Sequence, residues 1–493
     1  MKNLKELISK INPLKIRGNI NLPVKSLHFD SRKIKSGDLF IAVKGVNTDG
    51  HNYINKAIER GAVAVVYEKG EPTGNATFIR VKNTRQALSI ISDNFFGSPS
   101  KKMKYIGITG TNGKTTTSFL VKSIFDSAGI KSGMLGTIYY NNGEKLLPAQ
   151  LTTPEPVFMH KCFQDMYLNG CSHCILEVSS HSLSQDRVYS IEFSTAVITS
   201  ISRDHLDYHH TLKDYINTKA HLFDLLKPGG STAIINADLD STSLFYSKVS
   251  SSNILKYSLN KDKGDIYPVT FTYDDNGTSA TIGTPEGKIK LESKLAGNFQ
   301  LYNLMAATGV AIANGVSLEK IVEGVKSLKS VPGRLERVDL GQNFTVFIDY
   351  AHTPDAMEKV LSFTKKVVKG RIIALFGCGG NRDKGKRPEM GRIAEEYSDF
   401  AIVTSDNPRK ENPFVIIDQI LTGIKNKNKV EIQVDRKTAI KTAINLAEKN
   451  DIVLILGKGH ENYQVIGDKK IEFDDRVVAS EFIRKRLNKN DFA

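Results

Sequence analysis

The sequence contains no tryptophan and only four cysteines among its 493 residues. Four cysteines are too few for the disulfide framework of a secreted domain, so we expect the protein to work in the reducing cytoplasm. No apolar run approaches the ~18 residues that a membrane-spanning helix requires, which predicts no membrane insertion. Residues 1–18 have an amphipathic helical pattern with charges throughout, and they lack the apolar stretch of a secretory signal. These absences favour an ordinary soluble globular protein.

The charge balance is strongly positive. The chain has 68 lysines and arginines against 53 aspartates and glutamates, a formal net charge of +15. The basic residues are spread out and are not interleaved with aromatic residues, so the stacking platforms that bind single-stranded nucleic acids are not expected. The positive charge therefore either reflects a generally lysine-rich composition or indicates a small anionic ligand with phosphates or carboxylates. We expect a monomer with no nucleic-acid partner.

Strand and linker patterns divide the chain into three predicted domains, 1–99, 100–331 and 332–493. The boundaries fall at the linker-like segments FFGSPSKKMK (95–104) and KSVPGRLERV (329–338). In the second block YIGIT, CILEV, TAVIT and TAIIN alternate with helical patterns, which predicts a largely parallel sheet. In the third block FTVFIDY, RIIALFG, FAIVTS and DIVLILG predict a second, doubly wound sheet. The fold class is α/β, and ligands are expected at the carboxyl ends of the strands.

The segment ITGTNGKTTT (108–117) connects a predicted strand to a predicted helix, as a phosphate-binding loop does. It departs from the usual G-x-x-x-x-G-K-[ST] spacing, because Ile108 stands where the first glycine is expected. Gly110 and Gly113 would let backbone N–H groups face the phosphates at the start of the helix. Lys114 would reach the terminal phosphates, and the hydroxyl of Thr115 would hold Mg²⁺. The loop predicts nucleotide binding without specifying the reaction.

Ionisable residues follow the next strands of this block. Glu177 ends the strand CILEV, and a carboxylate there suits Mg²⁺, which prefers oxygen ligands. The strand TAVIT is followed by a polar cluster: Arg203, Asp204, His205, Asp207 and His209. Lys219 lies on the apolar face of the following predicted helix, where a lysine is costly unless it reaches solvent or meets an anion.

The strand ends of the third block carry groups that suit a zwitterionic ligand. Asp349 and His352 follow the first strand, and Arg382 lies in the glycine-rich loop GCGGNRDKGKRP. Arg409 lies in the turn DNPR, and the last strand is followed by Gly457, His460 and Glu461. Arginine binds a carboxylate through a bidentate fork, so two arginines and a glutamate predict an amino-acid site. Pro413 is predicted to begin the next helix.

Together these motifs resemble the Mur ligases. The resemblance rests on FDSRKIKSGDLFIAVKG, GTNGKTTT, TTPE, EVSSHSLSQDRV, RDHLDYHH, GRLERV, DYAHTPDAM, GCGGNRDKGKRP, SDNPR and GKGHENYQ, in order along nearly the whole chain. It implies a UDP-sugar domain, a central P-loop ATPase and a C-terminal Rossmann-like domain. Within the family, the similarity is greatest to ligases that add the third residue of the peptidoglycan precursor peptide.

The resemblance also implies a reaction. ATP phosphorylates the D-glutamate γ-carboxylate of UDP-N-acetylmuramoyl-L-alanyl-D-glutamate. The amine of the incoming amino acid attacks the acyl phosphate through a tetrahedral intermediate, giving an amide, ADP and phosphate. The DNPR turn resembles the form in enzymes that add meso-2,6-diaminopimelate. Addition of L-lysine or of a diaminopimelate analogue is the alternative.

Site residues follow by position from the same resemblance. The expected UDP-sugar and dipeptide contacts are Phe29, Ser31, Val46, Asn47, Thr48, Thr152, Thr153, Ser179, Gln185 and Arg187. The expected ATP site comprises Gly110, Thr111, Asn112, Gly113, Lys114, Thr115, Thr116, Asn303, Arg334, Asp349 and His352. The expected amino-acid site comprises Arg382, Asp406, Asn407, Pro408, Arg409, Gly457 and Glu461. The expected Mg²⁺ ligands are Thr115, Glu177, His205 and a carbamylated Lys219, and the last three with Lys114 form the expected catalytic set.

Two positions depart from the family pattern, and two other functions are alternatives to a Mur ligase. Leu151 stands where relatives often have Asn, and Gln300 replaces a commoner Asn near the adenine site. Folylpolyglutamate synthetase is a related ligase with a similar loop, but it lacks the DSR segment and the DNPR turn. The positive charge also leaves open a nucleotide switch or an RNA-binding P-loop protein.

Overall fold

The computed structural model of the chain describes residues 1–45, 48–250 and 252–490. Among these residues, none of the helices combines the length and the apolar character that crossing a bilayer requires. Three sheet-bearing regions follow one another along the chain, each with helices packed on its sheet. The α/β fold class predicted from the strand patterns is confirmed.

The N-terminal region is built on a five-stranded sheet. Its strands, in spatial order, are Lys15–Arg17, Thr77–Arg80, Ala64–Tyr67, Leu39–Ile41 and Leu27–His28. Its helices are Leu4–Leu7, Ile54–Glu59 and Thr84–Phe95, with 3₁₀ turns at Ser31–Lys33, Gly50–Tyr53 and Pro99–Lys101, and Lys2–Asn3 pairs with Pro23–Val24.

The predicted helix over residues 1–18 is wrong for most of its length. Only Leu4–Leu7 is helical. Pro13 cannot donate a helical hydrogen bond, and the backbone N–H of Leu14 instead donates to Arg80 at 2.8 Å. Lys15–Arg17 then joins the sheet as an edge strand beside Thr77–Arg80. Pairing with a distant strand therefore overrides the local helical pattern.

The central region contains an eight-stranded sheet. In spatial order the strands are Leu146–Pro148, Tyr139–Asn141, Ser132–Leu135, His173–Glu177, Lys104–Thr109, Thr195–Ile198, Thr232–Asn236 and Asn253–Tyr257. The last six run parallel to one another, as the sequence predicts. The helices of this sheet are Lys114–Ser127, Pro156–Leu168, Ser180–Ser184, Leu206–His209, Leu212–Asp224 and Thr242–Ser247. An antiparallel sheet of Tyr267–Tyr273, Thr278–Thr284 and Gly287–Ser293 follows, with helices Gln300–Ala313 and Leu318–Ser327.

The C-terminal region contains a six-stranded sheet. In spatial order the strands are Glu336–Arg337, Thr345–Asp349, Ile452–Leu456, Ile372–Phe376, Phe400–Val403 and Val430–Ile432. All but the first are parallel to their neighbours. The helices are Pro354–Val367, Lys386–Tyr397, Pro413–Leu421, Arg436–Leu446 and Asp475–Asn490, and Tyr463–Ile466 pairs with Lys469–Glu472. Pro413 begins its helix, as predicted.

Candidate active site

The phosphate-binding loop leaves the carboxyl end of the strand Lys104–Thr109, in the middle of the central sheet. Gly110 and Gly113 have positive φ values of 143° and 89°. A Cβ atom at Gly110 would lie 2.0 Å from Thr199 Oγ1, and one at Gly113 would lie 2.6 Å from Asn303 Oδ1. Both positions therefore require glycine for backbone conformation and for space. The helix that follows begins at Lys114, so its N-terminal N–H groups face the loop.

Two lysine ammonium groups share one carbonyl oxygen of this loop. Lys114 Nζ donates to Gly110 O at 2.8 Å and to Thr111 O at 2.9 Å. Lys219 Nζ donates to the same Gly110 oxygen at 2.9 Å. Two positive charges this close repel each other, so the arrangement favours an anionic ligand or the loss of one charge.

Lys219 is buried on the apolar face of its helix, as the spacing predicts. It is 2% exposed, and its ammonium lies 4.5 Å from the centre of the Tyr215 ring. Burial lowers the pKa of Lys219 well below its usual value, and the nearby Lys114 lowers it further, whereas Asp204 opposes the shift. A lysine with a depressed pKa has more of the neutral amine, which is the form that reacts with CO₂ to give a carbamate.

The carboxylate of Glu177 is fully buried at the end of its strand and is surrounded by hydroxyl groups. Thr115 and Thr137 each donate from Oγ1 to Glu177 Oε2 at 2.9 Å, and the Thr137 N–H donates to Oε1 at 3.1 Å. Thr115 and Glu177, both predicted Mg²⁺ ligands, are thus neighbours. Their oxygens fit a hard cation, because Mg²⁺ commonly takes one or two protein ligands and completes its shell with phosphates and water.

His205 lies near Lys219, because its ring centre is 6.5 Å from that of Tyr215, the ring that the Lys219 ammonium contacts. It lies in the left-handed conformation immediately before Leu206–His209, and its ring packs edge-on against His181 at 4.8 Å. Burial lowers the pKa of His205, and Asp204 partly offsets this effect. Across the described parts of the chain, no group of three or more His, Cys, Asp and Glu side chains is arranged to hold a metal ion. A site at Thr115 and Glu177 would therefore combine one hydroxyl and one carboxylate oxygen with phosphate oxygens and water.

The structure brings together the residues predicted to contact the dipeptide. Thr153 Oγ1 donates to the Glu177 carbonyl at 2.8 Å and accepts from the Ser179 N–H at 3.0 Å. Arg187 donates to the Thr153 carbonyl at 2.8 Å, to Gln185 Oε1 at 2.8 Å, and pairs with Glu155 at 2.8 Å. The hydroxyls of Thr152 and Thr137 lie 3.1 Å apart, which connects this network to the Glu177 carboxylate.

Residues of the C-terminal region reach the phosphate loop. Asp355, at the start of Pro354–Val367, accepts hydrogen bonds from Asn112 Nδ2 and Ser202 Oγ, each at 2.9 Å. Arg334 Nη2 lies 3.4 Å from Thr115 Oγ1, and its guanidinium lies 4.8 Å from the centre of the Tyr350 ring. Through these contacts the C-terminal region packs against the phosphate loop of the central region.

Other predicted ATP-site residues shape the surrounding backbone. Asp349 is buried and accepts from the N–H groups of Leu335 and Ala351 at 2.7 and 2.8 Å. Burial raises the pKa of Asp349, and Arg334 opposes the rise. His352 contacts the Tyr350 carbonyl, and burial followed by the charge of Lys386 lowers its pKa to about 4.

Asn303 faces the loop from the helix Gln300–Ala313. Thr117 Oγ1 lies 3.4 Å from Asn303 Oδ1, and Asn303 Nδ2 donates to Gln300 Oε1 at 2.9 Å. Gln300, the departure from the family pattern, therefore orients Asn303 through its side-chain amide.

The predicted amino-acid site forms at the strand ends of the C-terminal sheet. Asn407 Nδ2 donates to Glu461 Oε2 at 2.8 Å. Asp406 is buried, and a Cβ atom at Gly457 would lie 3.4 Å from its Oδ2. Lys458 Nζ lies 3.2 Å from Glu461 Oε2. This loop cluster places two carboxylates and an amide at one end of the sheet.

Two arginines lie close together where the DNPR turn meets the glycine-rich loop. Arg409 has a φ of 53°, and its Nη1 donates to the Gly380 carbonyl at 2.8 Å. A Cβ atom at Gly379 would lie 3.0 Å from Arg409 Nη1 and 3.7 Å from Arg382 Cγ. The two arginine side chains therefore come close to each other beside this glycine. Burial, then the charge of Arg382, lowers the pKa of Arg409. Such crowding of cations favours a carboxylate ligand.

The predicted UDP-sugar residues lie in the N-terminal region. Phe29 is 37% exposed, and Ser31 begins a 3₁₀ turn with its carbonyl accepting from Arg60 at 2.9 Å. The Thr48 carbonyl accepts from the Gly45 N–H at 2.7 Å. Val46 and Asn47 lie outside the described residues. The described hydrogen bonds of this group stay within the N-terminal region, and its assigned role stays a prediction.

Sequence analysis missed Thr137, Asp355 and Lys458. Thr137 and Asp355 carry no distinctive local signal, because their partners are remote in the sequence. Lys458 had a signal: it stands between two glycines just after the buried strand Ile452–Leu456. Lysine is rarely buried unless it is paired, so a lysine at this position indicates a specific partner.

Comparisons with known proteins agree along the chain. Residues 23–96 match the Mur ligase family catalytic domain, residues 108–311 the Mur ligase middle domain, and residues 333–459 the Mur ligase glutamate ligase domain.

Two relatives are named UDP-N-acetylmuramoyl-L-alanyl-D-glutamate–2,6-diaminopimelate ligase. The Clostridium tetani protein is 42% identical over 98% of this chain and 99% of its own length. The Aquifex aeolicus protein is 45% identical over 93% of this chain and 94% of its own length. A solved structure of a ligase with the same name is 33% identical, covers 99% of both chains and has a TM-score of 0.71. With matches in all three regions and relatives this similar over nearly the full length, the chain belongs to the Mur ligase family.

Proposed function

We propose that the protein is an ATP-dependent ligase that joins meso-2,6-diaminopimelate to UDP-N-acetylmuramoyl-L-alanyl-D-glutamate in peptidoglycan precursor synthesis. The observation that carries the proposal is the contact between regions. Asp355 of the C-terminal region is hydrogen-bonded to Asn112 of the phosphate loop, so the region that carries the proposed amino-acid site contacts the proposed nucleotide loop. The names of the relatives at 42% and 45% identity support the same reaction.

The first half-reaction transfers the ATP γ-phosphoryl group to the D-glutamate γ-carboxylate. Lys114 offsets the charge that develops on the transferred group, and Arg334 reaches the same place from the C-terminal region. Arg187, with Thr153 and Ser179, orients the dipeptide beside the Glu177 network. The phosphate loop and the dipeptide network meet at Glu177, so the nucleotide and the acceptor carboxylate are held side by side.

Thr115 and Glu177 would hold Mg²⁺, with His205 and a carbamylated Lys219 as further contacts in the proposal. When bound, Mg²⁺ neutralises phosphate charge and polarises the oxygens of the transferred group. The buried hydroxyls of Thr115 and Thr137 keep the Glu177 carboxylate fixed.

The second half-reaction is the attack of the amine on the acyl phosphate. The N–C bond forms first and gives the tetrahedral intermediate, which then collapses by breaking the C–O bond to phosphate. The proton that the amine loses passes to the released phosphate or to water. Asn407 holds Glu461 in place. Glu461 binds the distal ammonium of the incoming amino acid, and Arg409 binds its distal carboxylate through a bidentate fork. This placement fixes the far end of the substrate so that the reacting amine faces the central region.

The proposed domain roles follow the three regions. Residues 1–99 bind the UDP sugar, residues 100–331 bind ATP and the dipeptide, and residues 332–493 bind the amino acid. We also propose a cytoplasmic monomer. Light scattering of the purified protein tests the oligomeric state, and a stable dimer would contradict it.

The deciding experiment measures phosphate release by the purified protein with ATP and Mg²⁺. We expect release only when both the UDP-muramoyl dipeptide and a suitable diamino acid are present. The panel should contain meso-2,6-diaminopimelate, L-lysine and lanthionine. Equal kcat/KM values for L-lysine and diaminopimelate would contradict the proposed substrate, and release with nucleic acid or folate in place of the dipeptide would contradict the reaction.

Arg409 should set the preference for diaminopimelate. We propose Arg409→Asn, because asparagine tolerates the left-handed conformation that Arg409 adopts. The kcat/KM for diaminopimelate should fall by about 10²-fold with the loss of a charged bidentate pair, while that for L-lysine changes little. With lysine bound to the natural site, Arg409 is desolvated without a carboxylate partner.

Matched variants separate this effect from destabilisation. Arg392→Ala removes an arginine that is exposed and paired with Glu396 on Lys386–Tyr397, and it should leave the preference unchanged. Arg409→Lys keeps the charge and loses the planar fork, so it should recover only part of the activity. An Arg409→Asn protein that prefers diaminopimelate as strongly as the natural one would refute the assignment.

A further inference from the structure

A fully buried lysine lies beneath the loops of the proposed amino-acid site. Lys458 is 0% exposed. Its ammonium donates to Asn407 Oδ1 at 3.3 Å and to Glu461 Oε2 at 3.2 Å, and Asp406 Oδ1 lies 3.7 Å away. A buried ammonium is costly unless it is paired and hydrogen-bonded, so these two carboxylates hold the charge of Lys458 in place.

The two carboxylates keep acceptor capacity for a ligand. Asp406 Oδ1 is buried and has no hydrogen-bond partner within the part of the chain that the structure describes. The described hydrogen bonds to the Glu461 carboxylate both end at Oε2. Buried oxygens of this kind are normally satisfied, so the cluster is suited to receive a donor from a bound molecule.

The charges around the site are not balanced. Arg382, Arg409 and Lys458 are positive, whereas Asp406 and Glu461 are negative. Arg382 is exposed and so is partly screened by solvent, but Lys458 is not. Lys458 therefore offsets part of the attraction that Asp406 and Glu461 exert on a ligand ammonium, and it adds a fixed positive charge that attracts a ligand carboxylate.

The candidate substrates differ in the charge of their distal ends. The distal end of diaminopimelate carries an ammonium and a carboxylate, and its net charge is zero. The distal end of L-lysine carries an ammonium alone. Binding of L-lysine would therefore add an unbalanced positive charge above Lys458, whereas binding of diaminopimelate would not.

We propose that Lys458 is a specificity-determining positioning residue, whose buried positive charge disfavours amino acids that end in a bare ammonium. It acts without touching the substrate, by orienting Glu461 and Asn407 and by setting the charge beneath them. This inference rests on the proposed function, because it takes these loops as the site of a diamino acid. It adds a second source of selectivity to the carboxylate contact of Arg409.

The test compares kcat/KM for meso-2,6-diaminopimelate and L-lysine in the full-length protein. Lys458→Met removes the charge and keeps an unbranched side chain. We expect the ratio of the two kcat/KM values, diaminopimelate over lysine, to fall about tenfold or more. Lys458→Gln, which is neutral but can still donate to Asn407 or Glu461, should lower the ratio in the same direction. Lys458→Arg, which keeps the charge, should lower the ratio less than either neutral variant does.

Lys410→Met is the matched control. Lys410 is exposed and adjacent to Arg409, and it pairs with Asp468 at 3.2 Å. Loss of this solvated charge should leave the ratio unchanged.

The outcomes are separable. A ratio within about twofold of the natural value in a folded Lys458→Met or Lys458→Gln protein overturns the inference, as does an equal loss with both substrates, which marks a structural role only. If the methionine variant does not fold, the glutamine variant carries the test, with thermal melting as the check on folding. If the natural protein releases no phosphate with diaminopimelate and the dipeptide, the proposed function fails instead.

Discussion

Replacing Lys114 with alanine is expected to lower kcat by about 10³-fold or more, with no acyl phosphate formed. The phosphoryl group in transfer carries negative charge that the protein must offset in a site with little water. Lys114 supplies a fixed positive charge at the start of a helix, where its ammonium bridges two carbonyls of the phosphate loop. Alanine keeps the helix but removes both the charge and the bridge.

Two measurements check this expectation. Phosphate release gives the overall rate, and trapping with hydroxylamine detects the acyl phosphate directly. Lys122→Ala is the control, because Lys122 lies on the same helix and pairs with Asp126. It should retain activity. Turnover like that of the natural protein in a folded Lys114→Ala variant would show that this loop is not the ATP site.

Lys219→Ala is expected to lower kcat by at least about 10²-fold, and added formate or acetate should restore part of the lost activity. The reason is the charge of the carbamate that we propose forms on Lys219. The carbamate of Lys219 is an anion, so its formation replaces the repulsion between the Lys114 and Lys219 ammonium groups by attraction. A small carboxylate that enters the space left by alanine supplies the same negative charge.

The pKa of Lys219 gives this prediction a pH dependence. Because burial lowers that pKa, the neutral amine persists to a lower pH than in an ordinary lysine. Below the lowered pKa the amine is protonated and cannot form the carbamate. With bicarbonate present, activity should therefore decline as the pH falls through the lowered pKa of Lys219. In CO₂-free buffer activity should be low, and it should recover when bicarbonate is added at higher pH.

Intact-mass or crystallographic measurement checks the modification itself. We expect a mass increase of one CO₂ that is absent from Lys219→Ala. Lys213→Ala on the exposed face of the same helix is the control and should keep both the modification and the activity. A free Lys219 amine in fully active protein would refute the prediction.

Several strands of the two parallel sheets were predictable because they are buried throughout and the signal is local. Ile452–Leu456 and Thr232–Asn236, for example, are buried at every position. The burial of Lys219 was predictable for the same reason, since helical spacing alone places it among apolar neighbours. The N-terminal helix was wrong because residues 15–17 pair with a strand some sixty residues away, and no local pattern records that pairing.

Candidate site residues could be found from the sequence where a motif ends or follows a strand. They could not be found where contacts join segments that are far apart in the chain. Glu177 ends a strand, and Lys114 and Arg409 follow the strands Lys104–Thr109 and Phe400–Val403. Asp355 was missed because its partner Asn112 lies 243 residues earlier in the chain. The three regional matches and the full-length relatives favour a Mur ligase over the folate and switch alternatives, which the sequence left open.

The hydrogen bonds of Asp355 connect the phosphate loop mechanically to the C-terminal sheet. Asn112 and Ser202 both donate to one carboxylate oxygen, and Lys359 Nζ lies 2.8 Å from the same atom. Any hinge rotation of the C-terminal region away from the loop must break the first two bonds together and leave the third intact. A label at position 112 would therefore report any such rotation, because Asn112 lies on the central region's side of these bonds.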